Sequence, residues 1–124
     1  MKDETKALMA KAEEDLASAK YSLDGGFVRS CISSAYYAMF HAAQALLAEK
    51  GADSHSHQGL LATVSLEYIQ SRLLPPEHGR HLHKAFERRM AADYDVRDHL
   101  PEETARETVV WAAAFIAAAQ ELLS

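Results

Sequence analysis

The sequence predicts an all-α fold, a bundle of helices that short loops place antiparallel around one apolar central helix. Alanine, which has the highest helix propensity of all residues, is the commonest residue, with 23 copies. Sustained alternation of apolar and polar residues, which is typical of strands, is absent. Glycines and prolines divide the 124 residues into segments of helical length, and these predict one domain with short loops.

Each helix boundary is marked by a residue type that starts or stops helices. Glycine adopts the left-handed conformation that ends a helix, serine caps an N-terminus, and proline is tolerated in a first turn. With these markers, the predicted helices run from Asp3 to Gly25, from Phe27 to Lys50, from Ser54 or Ser56 to about Arg72, from Pro75 to about Tyr94, and from Pro101 to Leu123.

The second helix is apolar or aromatic on most of its circumference between Cys31 and Leu47. A helix of that kind is buried on most of its surface, which predicts that it lies at the centre of the bundle. Its aromatic side chains are predicted to pack, with phenol hydroxyls that reach the edge of the bundle or a dimer contact, and its histidine is predicted to be a hydrogen-bonded core residue. These side chains are Tyr36, Tyr37, Phe40 and His41.

The composition excludes several classes of protein. A net charge of −5 gives no bulk attraction to nucleic acid or to an anionic membrane. The longest weakly polar stretch, 109–119, is shorter than the roughly 20 residues of a membrane span, and we see no secretory signal. The only cysteine, Cys31, cannot form an internal disulfide, which fits a reducing cytoplasm.

A metal site is not predicted, although the chain has seven histidines. The pairs His55/His57 and His81/His83 are spaced two apart, so on a helix their side chains point to different sides. No cysteine or carboxylate cluster completes a ligand set. We therefore expect neither a metal nor a cofactor.

Two segments resemble known protein sequences. The run Arg29-Ser-Cys-Ile-Ser-Ser-Ala-Tyr-Tyr-Ala-Met-Phe-His-Ala-Ala-Gln-Ala-Leu-Leu is similar to the central helix of bacterial and archaeal HEPN (higher eukaryotes and prokaryotes nucleotide-binding) domains. The later run Phe86-Glu-Arg-Arg-Met-Ala-Ala-Asp-Tyr-Asp resembles the fourth-helix segment of a subgroup of small stand-alone HEPN proteins. With their spacing and the helical tail, the resemblance covers almost the whole chain.

The resemblance implies an up-and-down helical bundle, with a four-helix core plus an additional helix, that pairs as a homodimer. Many relatives are encoded beside a small nucleotidyltransferase, with which they form a toxin–antitoxin-type pair. In active members, an Arg-x(4–6)-His motif from each subunit meets across the dimer cleft and cleaves RNA without a metal. The histidine acts as acid and base there, and the arginine stabilises phosphate charge.

That motif is incomplete in this chain. Asp93 follows Arg88 with four residues between them, in the place of the histidine. Aspartate is ionised at neutral pH and is a poor proton shuttle, and an ion pair between Asp93 and Arg89 is the structural alternative. The formal match from Arg72 to His78 spans two prolines, where no continuous helix holds both side chains on one face.

The fourth helix carries a cationic stripe, because Arg80, Lys84 and Arg88 recur every four residues. With Arg89 and Tyr94, this stripe is the predicted site for nucleotide or RNA. The alternative is a solvated face with acidic partners, on which Tyr94 only packs. In some relatives, the partner enzyme nucleotidylates a tyrosine two positions after the histidine; here that position holds an aspartate, and Tyr94 stands one position earlier.

Three functions remain open from the sequence. The first is a HEPN component of a nucleotidyltransferase-linked pair that binds its partner protein and nucleotide or RNA. The second is a metal-independent ribonuclease in which Arg88 or Arg89 works with His83 or His99 across a dimer. The third is a non-catalytic helical adaptor.

Overall fold

The computed structural model describes residues 1–96 and 99–124, and within these ranges all regular structure is helical. This confirms the predicted all-α bundle. The α-helices are α1 (Asp3–Asp24), α2 (Val28–Glu49), α3 (His57–Val64), α4 (Pro76–Tyr94) and α5 (Glu102–Leu123), and a π-helical turn (Ser65–Ile69) extends α3.

The residues that mark the helix boundaries act as predicted. Gly26 and Gly51 follow α1 and α2 with φ values of +80° and +72°, which a residue with a Cβ adopts only under strain. The Ser56 hydroxyl accepts a hydrogen bond of 3.0 Å from the Gly59 N–H and caps α3. Pro76 occupies the first turn of α4, where a missing N–H has no consequence.

The prediction of one regular third helix to Arg72 is wrong in its second half. From Val64 onward the chain continues as the π-helical turn, which is closed by a bond of 2.8 Å from the Gln70 N–H to the Ser65 carbonyl. Arg72 then takes a positive φ of 64°, and the Tyr68 carbonyl accepts from the next two backbone N–H groups. The chain is thereby reversed toward α4.

Helix α2 lies at the centre and contacts each of the other α-helices, as predicted. Ile32, Met39 and Leu46 are fully buried on it, and Phe115 of α5 is the largest fully buried side chain against this core. Helices α1 and α4 both contact α5, so these three surround α2 and leave one side of it open.

Cys31 belongs to the buried face of α2. Its thiol is fully buried and lies 3.9 Å from the Ala105 carbonyl of α5. Burial raises the pKa of this thiol to about 11. No helix among residues 1–96 and 99–124 is both long enough and apolar enough to span a membrane.

Candidate functional site

The open side of α2 forms a polar stripe between α1 and α4. We call this the open stripe and define it by the partly exposed residues that recur every three or four positions: Ser30, Ser33, Ser34, Tyr37 and His41. The intervening residues face the core. Amphipathic spacing at one helical turn therefore places five polar or amphipathic side chains in one row.

Arg29 closes one end of the open stripe. Its Nε donates a hydrogen bond of 2.5 Å to the Ala92 carbonyl, which lies in the last turn of α4 and has no partner within the helix. A cavity of about 400 Å³ lies there, lined mainly by serines of the open stripe with Arg29 and Asp93. A second cavity of about 520 Å³ shares Arg29 with it and places His99 on its wall.

A histidine–carboxylate pair lies farther along the open stripe. The Nδ1 atom of His41 is 2.6 Å from Oδ2 of Asp15, which projects from α1. The Tyr37 ring stacks on the His41 ring, with centroids 5.8 Å apart. The predicted hydrogen bond of His41 is thus confirmed, but its ring lies on the partly exposed side of α2 and not in the core. Asp15 was not predicted as its partner, because the periodicity of α1 does not indicate which α2 residue it faces. Such a carboxylate fixes the tautomer and orientation of the ring.

Arg89 borders the same stripe from α4. Its Nε lies 2.9 Å from Asp93 Oδ2, which confirms the predicted ion pair. The contact is ionic rather than a hydrogen bond, because this buried Nε–H has no acceptor in suitable geometry. The Arg89 guanidinium carbon also lies 5.1 Å from the centroid of the Tyr37 ring, within range of a cation–π contact.

Arg88 turns away from the open stripe toward α5. Its guanidinium donates to Thr108 Oγ1 at 3.0 Å and to Glu107 Oε1 at 2.5 Å, and lies 4.1 Å from the centroid of the Trp111 ring. The hydrogen bond from Arg88 holds the pKa of the Glu107 carboxyl below its usual value. The two candidate catalytic residues, Arg88 and Asp93, therefore engage different partners.

The remaining predicted binding residues are exposed. Arg80 and Lys84 lie on the surface of α4, and neither forms an ion pair within the described residues. Tyr94 is 70% exposed at the end of the same helix. The cationic stripe of the sequence is thus divided into two exposed cations and one arginine that is held by α5.

Known proteins are similar to this chain in sequence and in architecture. A family model described as HEPN domain matches residues 5–122. The chain belongs to the HEPN family. A Methanocaldococcus jannaschii protein named "Putative toxin" is 32% identical over 94% of this HEPN chain and 86% of its own length. An Archaeoglobus fulgidus protein named "UPF0332 protein" is 31% identical over 98% of this chain and 97% of its own.

A solved structure supports the fold of this HEPN chain. The crystal structure of a Thermus thermophilus protein, TT1696, superposes with a TM-score of 0.82. It covers 98% of this chain and 99% of its own, at 18% sequence identity. At that identity the likeness concerns the fold alone.

A chain of hydrogen-bonded rings in this HEPN domain was not predicted. The Tyr36 hydroxyl lies 3.1 Å from His57 Nδ1, and His57 Nε2 lies 3.2 Å from Nδ1 of His83. The Tyr36 hydroxyl is therefore buried and does not reach the edge of the bundle. The Phe86 ring stacks on His57 with centroids 3.9 Å apart. These residues come from α2, α3 and α4, and no sequence spacing connects them.

The environment of His57 keeps it neutral. Burial, followed by the nearby charge of His83, lowers the pKa of His57 to about 4. Burial also raises the pKa of the Tyr36 phenol. Among residues 1–96 and 99–124, no three histidine, cysteine or acidic side chains are grouped so that they could hold a metal ion.

Proposed function

We propose that this protein is the HEPN component of a HEPN/nucleotidyltransferase pair of toxin–antitoxin type. It acts as a homodimer that binds the partner protein and RNA or nucleotide. The proposal is supported by membership of the HEPN family and by the similarity over almost the whole chain to an M. jannaschii protein that carries the name "Putative toxin".

One observation favours binding over cleavage on α4. Arg88 is engaged by Glu107 and Thr108, and Asp93 is engaged by Arg89, so the two candidate catalytic side chains are separated by their own partners. Phosphate binding by Arg88 would therefore compete with its contacts to Glu107 and Thr108, which weakens the case for Arg88 as a catalytic cation.

Arg80 and Lys84 are better placed to hold RNA. They are exposed, they lie one helical turn apart, and they lack ion-pair partners in the part of the chain that the structure describes. Tyr94 is exposed at the end of the same helix, and Arg88 can join this surface if a phosphate replaces Glu107. Arg89, which the sequence predicts as part of the same binding site, faces the open stripe instead. Phosphate contacts of this kind do not select a sequence.

The experiment measures binding of a fluorescein-labelled single-stranded oligoribonucleotide at low salt. The double variant Arg80→Glu/Lys84→Glu should abolish binding, whereas Lys11→Glu/Lys20→Glu, which reverses two exposed cations of α1, should retain most of it. Co-expression with the neighbouring nucleotidyltransferase tests partner binding. Equal RNA binding by both variants, together with no co-purification, would favour a non-catalytic adaptor.

The open stripe favours a second candidate function, a metal-independent ribonuclease. The Asp15–His41 pair is built like a general base with its orienting carboxylate, and Arg89 lies on the other side of Tyr37. In such a site His41 Nε2 takes the proton of the ribose 2′-OH, the 2′ oxygen attacks phosphorus, and the 5′ oxygen leaves and is protonated by water. Arg89 stabilises the phosphate charge.

A cleavage assay in the presence of EDTA tests the second candidate. RNA cleavage that disappears in His41→Ala and Arg89→Ala, but persists in His55→Ala, would support it, because His55 is highly exposed and lies outside the open stripe. Cleavage that is lost with His83→Ala or His99→Ala instead would assign the acid–base role to those residues.

A further inference from the structure

A groove between the π-helical turn and α4 has a different character from the open stripe. Its volume is about 480 Å³, which is within the range of protein ligand sites. Leu61, Ile69 and Pro76 provide its apolar floor, and Arg80 and Lys84 stand on its α4 side. We call it the α3–α4 groove.

The floor of the groove exists because α4 approaches the π-helical turn closely. Gly79 is buried, and a Cβ at this position would lie 2.8 Å from Ile69 Cδ1. Ser65, the first residue of the π-helical turn, also lines the groove, while Leu66 on the same turn is 60% exposed. π-Helical turns inside helices occur frequently at functional sites.

The charges of the groove determine what can bind there. Neither Arg80 nor Lys84 forms an ion pair within the described residues, although the chain has a net charge of −5. Glu107, which is paired with Arg88, lies within electrostatic range of Lys84. An apolar floor beside two free cations complements a helix with apolar side chains on one face and carboxylates at its edge. RNA fits less well, because a phosphate backbone gains nothing from contact with leucine and isoleucine. The Glu87 carboxylate at the wall repels phosphates and carboxylates alike, so the apolar floor is what favours the amphipathic helix.

We propose that the α3–α4 groove binds an acidic amphipathic segment of the partner protein, and that this segment competes with RNA for Arg80 and Lys84. The inference rests on the proposed function, since it specifies how the partner and RNA share one surface. Apolar side chains of the segment fill the floor, and its carboxylates pair with the two cations. Partner and RNA therefore cannot bind the same protomer at this surface together.

The test compares variants of the floor with variants of the cations. Binding of the co-expressed neighbouring nucleotidyltransferase and of the labelled oligoribonucleotide is measured for each purified protein. Leu61→Ser should weaken partner binding roughly tenfold and leave RNA binding unchanged, because it removes only apolar contact. Arg80→Glu should weaken both. The wild-type partner should displace the oligoribonucleotide as its concentration rises.

Ser65→Trp provides a second floor variant, because it fills the groove without removing a buried side chain. Thermal unfolding checks that each variant is folded, and Lys20→Glu on α1 is the matched surface control. Partner binding that is unchanged in both floor variants overturns the inference while the proposed function stands. Loss of RNA binding with Leu61→Ser or Ser65→Trp would instead show that a base of the RNA occupies the groove. No partner binding by the wild type overturns both proposals.

Discussion

Arg88 connects α4 to α5 with its whole side chain. It hydrogen-bonds Thr108, pairs with Glu107 and covers the Trp111 ring, and its side chain is only 15% exposed. A largely buried arginine with these contacts contributes through packing as well as charge. In the free protein, Arg88 therefore stabilises the bundle.

Replacing Arg88 by alanine should lower the free energy of unfolding by about 1–3 kcal/mol, because the hydrogen bonds and the cation–π contact are lost together. Urea unfolding followed by circular dichroism measures it. Arg80→Ala, on the exposed part of the same helix, should change the value by less than about 0.5 kcal/mol. An Arg88→Ala protein as stable as the wild type would contradict this account.

His57 makes the stability of the protein depend on pH. Its pKa is about 4 when folded and near 6.5 when unfolded, so between these values the unfolded chain binds more protons. Stability is thus complete above about pH 6.5 and is lost as pH falls toward 4, by up to about 3 kcal/mol. Burial lowers the pKa of His78 and His81 as well, which acts in the same direction.

NMR titration of the His57 imidazole provides the direct measurement. Its resonance should stay that of the neutral ring until about pH 4. His57→Gln should show a weaker fall in unfolding free energy between pH 6.5 and 4 than the wild type. A normal titration of His57 in the folded protein would show that its ring is not shielded from water.

At the scale of elements, both ends of α2 were predictable, whereas the third helix was predictable at its N-terminus and not in its second half. The apolar run of α2 bounded by glycines predicts its ends to within one residue, from Phe27 to Lys50 against Val28–Glu49. A π-helical turn has no comparable marker, because five residues are too few to show an apolar period of their own. The sequence also does not show that Arg88 contacts Glu107. Both are charged residues on separate helices, at positions where the sequence pattern predicts exposure to solvent.

In the candidate site, contacts within one helix were predictable from the sequence and contacts between helices were not. The Arg89–Asp93 pair is local, four residues apart on one helix, and it was predicted. The Asp15–His41 pair and the contact of His57 with His83 each join residues 26 positions apart. Such contacts depend on which helix faces which, and a single sequence does not contain that information.

Arg72, three residues after the end of the π-helical turn, allows a test of backbone strain. Arg72 has a φ of 64°, which glycine adopts without the steric conflict of a Cβ. Arg72→Gly should be more stable than Arg72→Ala by about 1 kcal/mol, because both remove the long side chain and only glycine relieves the strain. Thermal or urea unfolding of the pair measures the difference. Equal stability would mean that the turn relaxes around a Cβ.

At the scale of the whole molecule, the charge is unfavourable for binding RNA. The net charge is −5, so affinity must come from local cations rather than from the overall field. If Arg80 and Lys84 are the phosphate contacts, few counterions are released on binding. The dependence on salt is therefore expected to be shallow.

A plot of the logarithm of the RNA binding constant against that of salt concentration should have a slope of about −1.4 per protomer, from two single-strand phosphate contacts. Fluorescence anisotropy across a salt series gives this slope. Replacing Lys84 by glutamine should reduce its magnitude by about half. A much steeper slope would require Arg88 and Arg89 to leave their carboxylates and contact RNA as well.

The buried Cys31 thiol of α2 is a natural probe for transient separation of the helices. Cys31 is the only cysteine, it is fully buried, and burial raises its pKa to about 11. A thiol reagent therefore cannot modify the native protein at a useful rate until α2 and α5 separate. The labelling rate of Cys31, measured by mass spectrometry, therefore reports how often these two helices separate. Partner or RNA binding that clamps the bundle should slow this rate without any engineered probe.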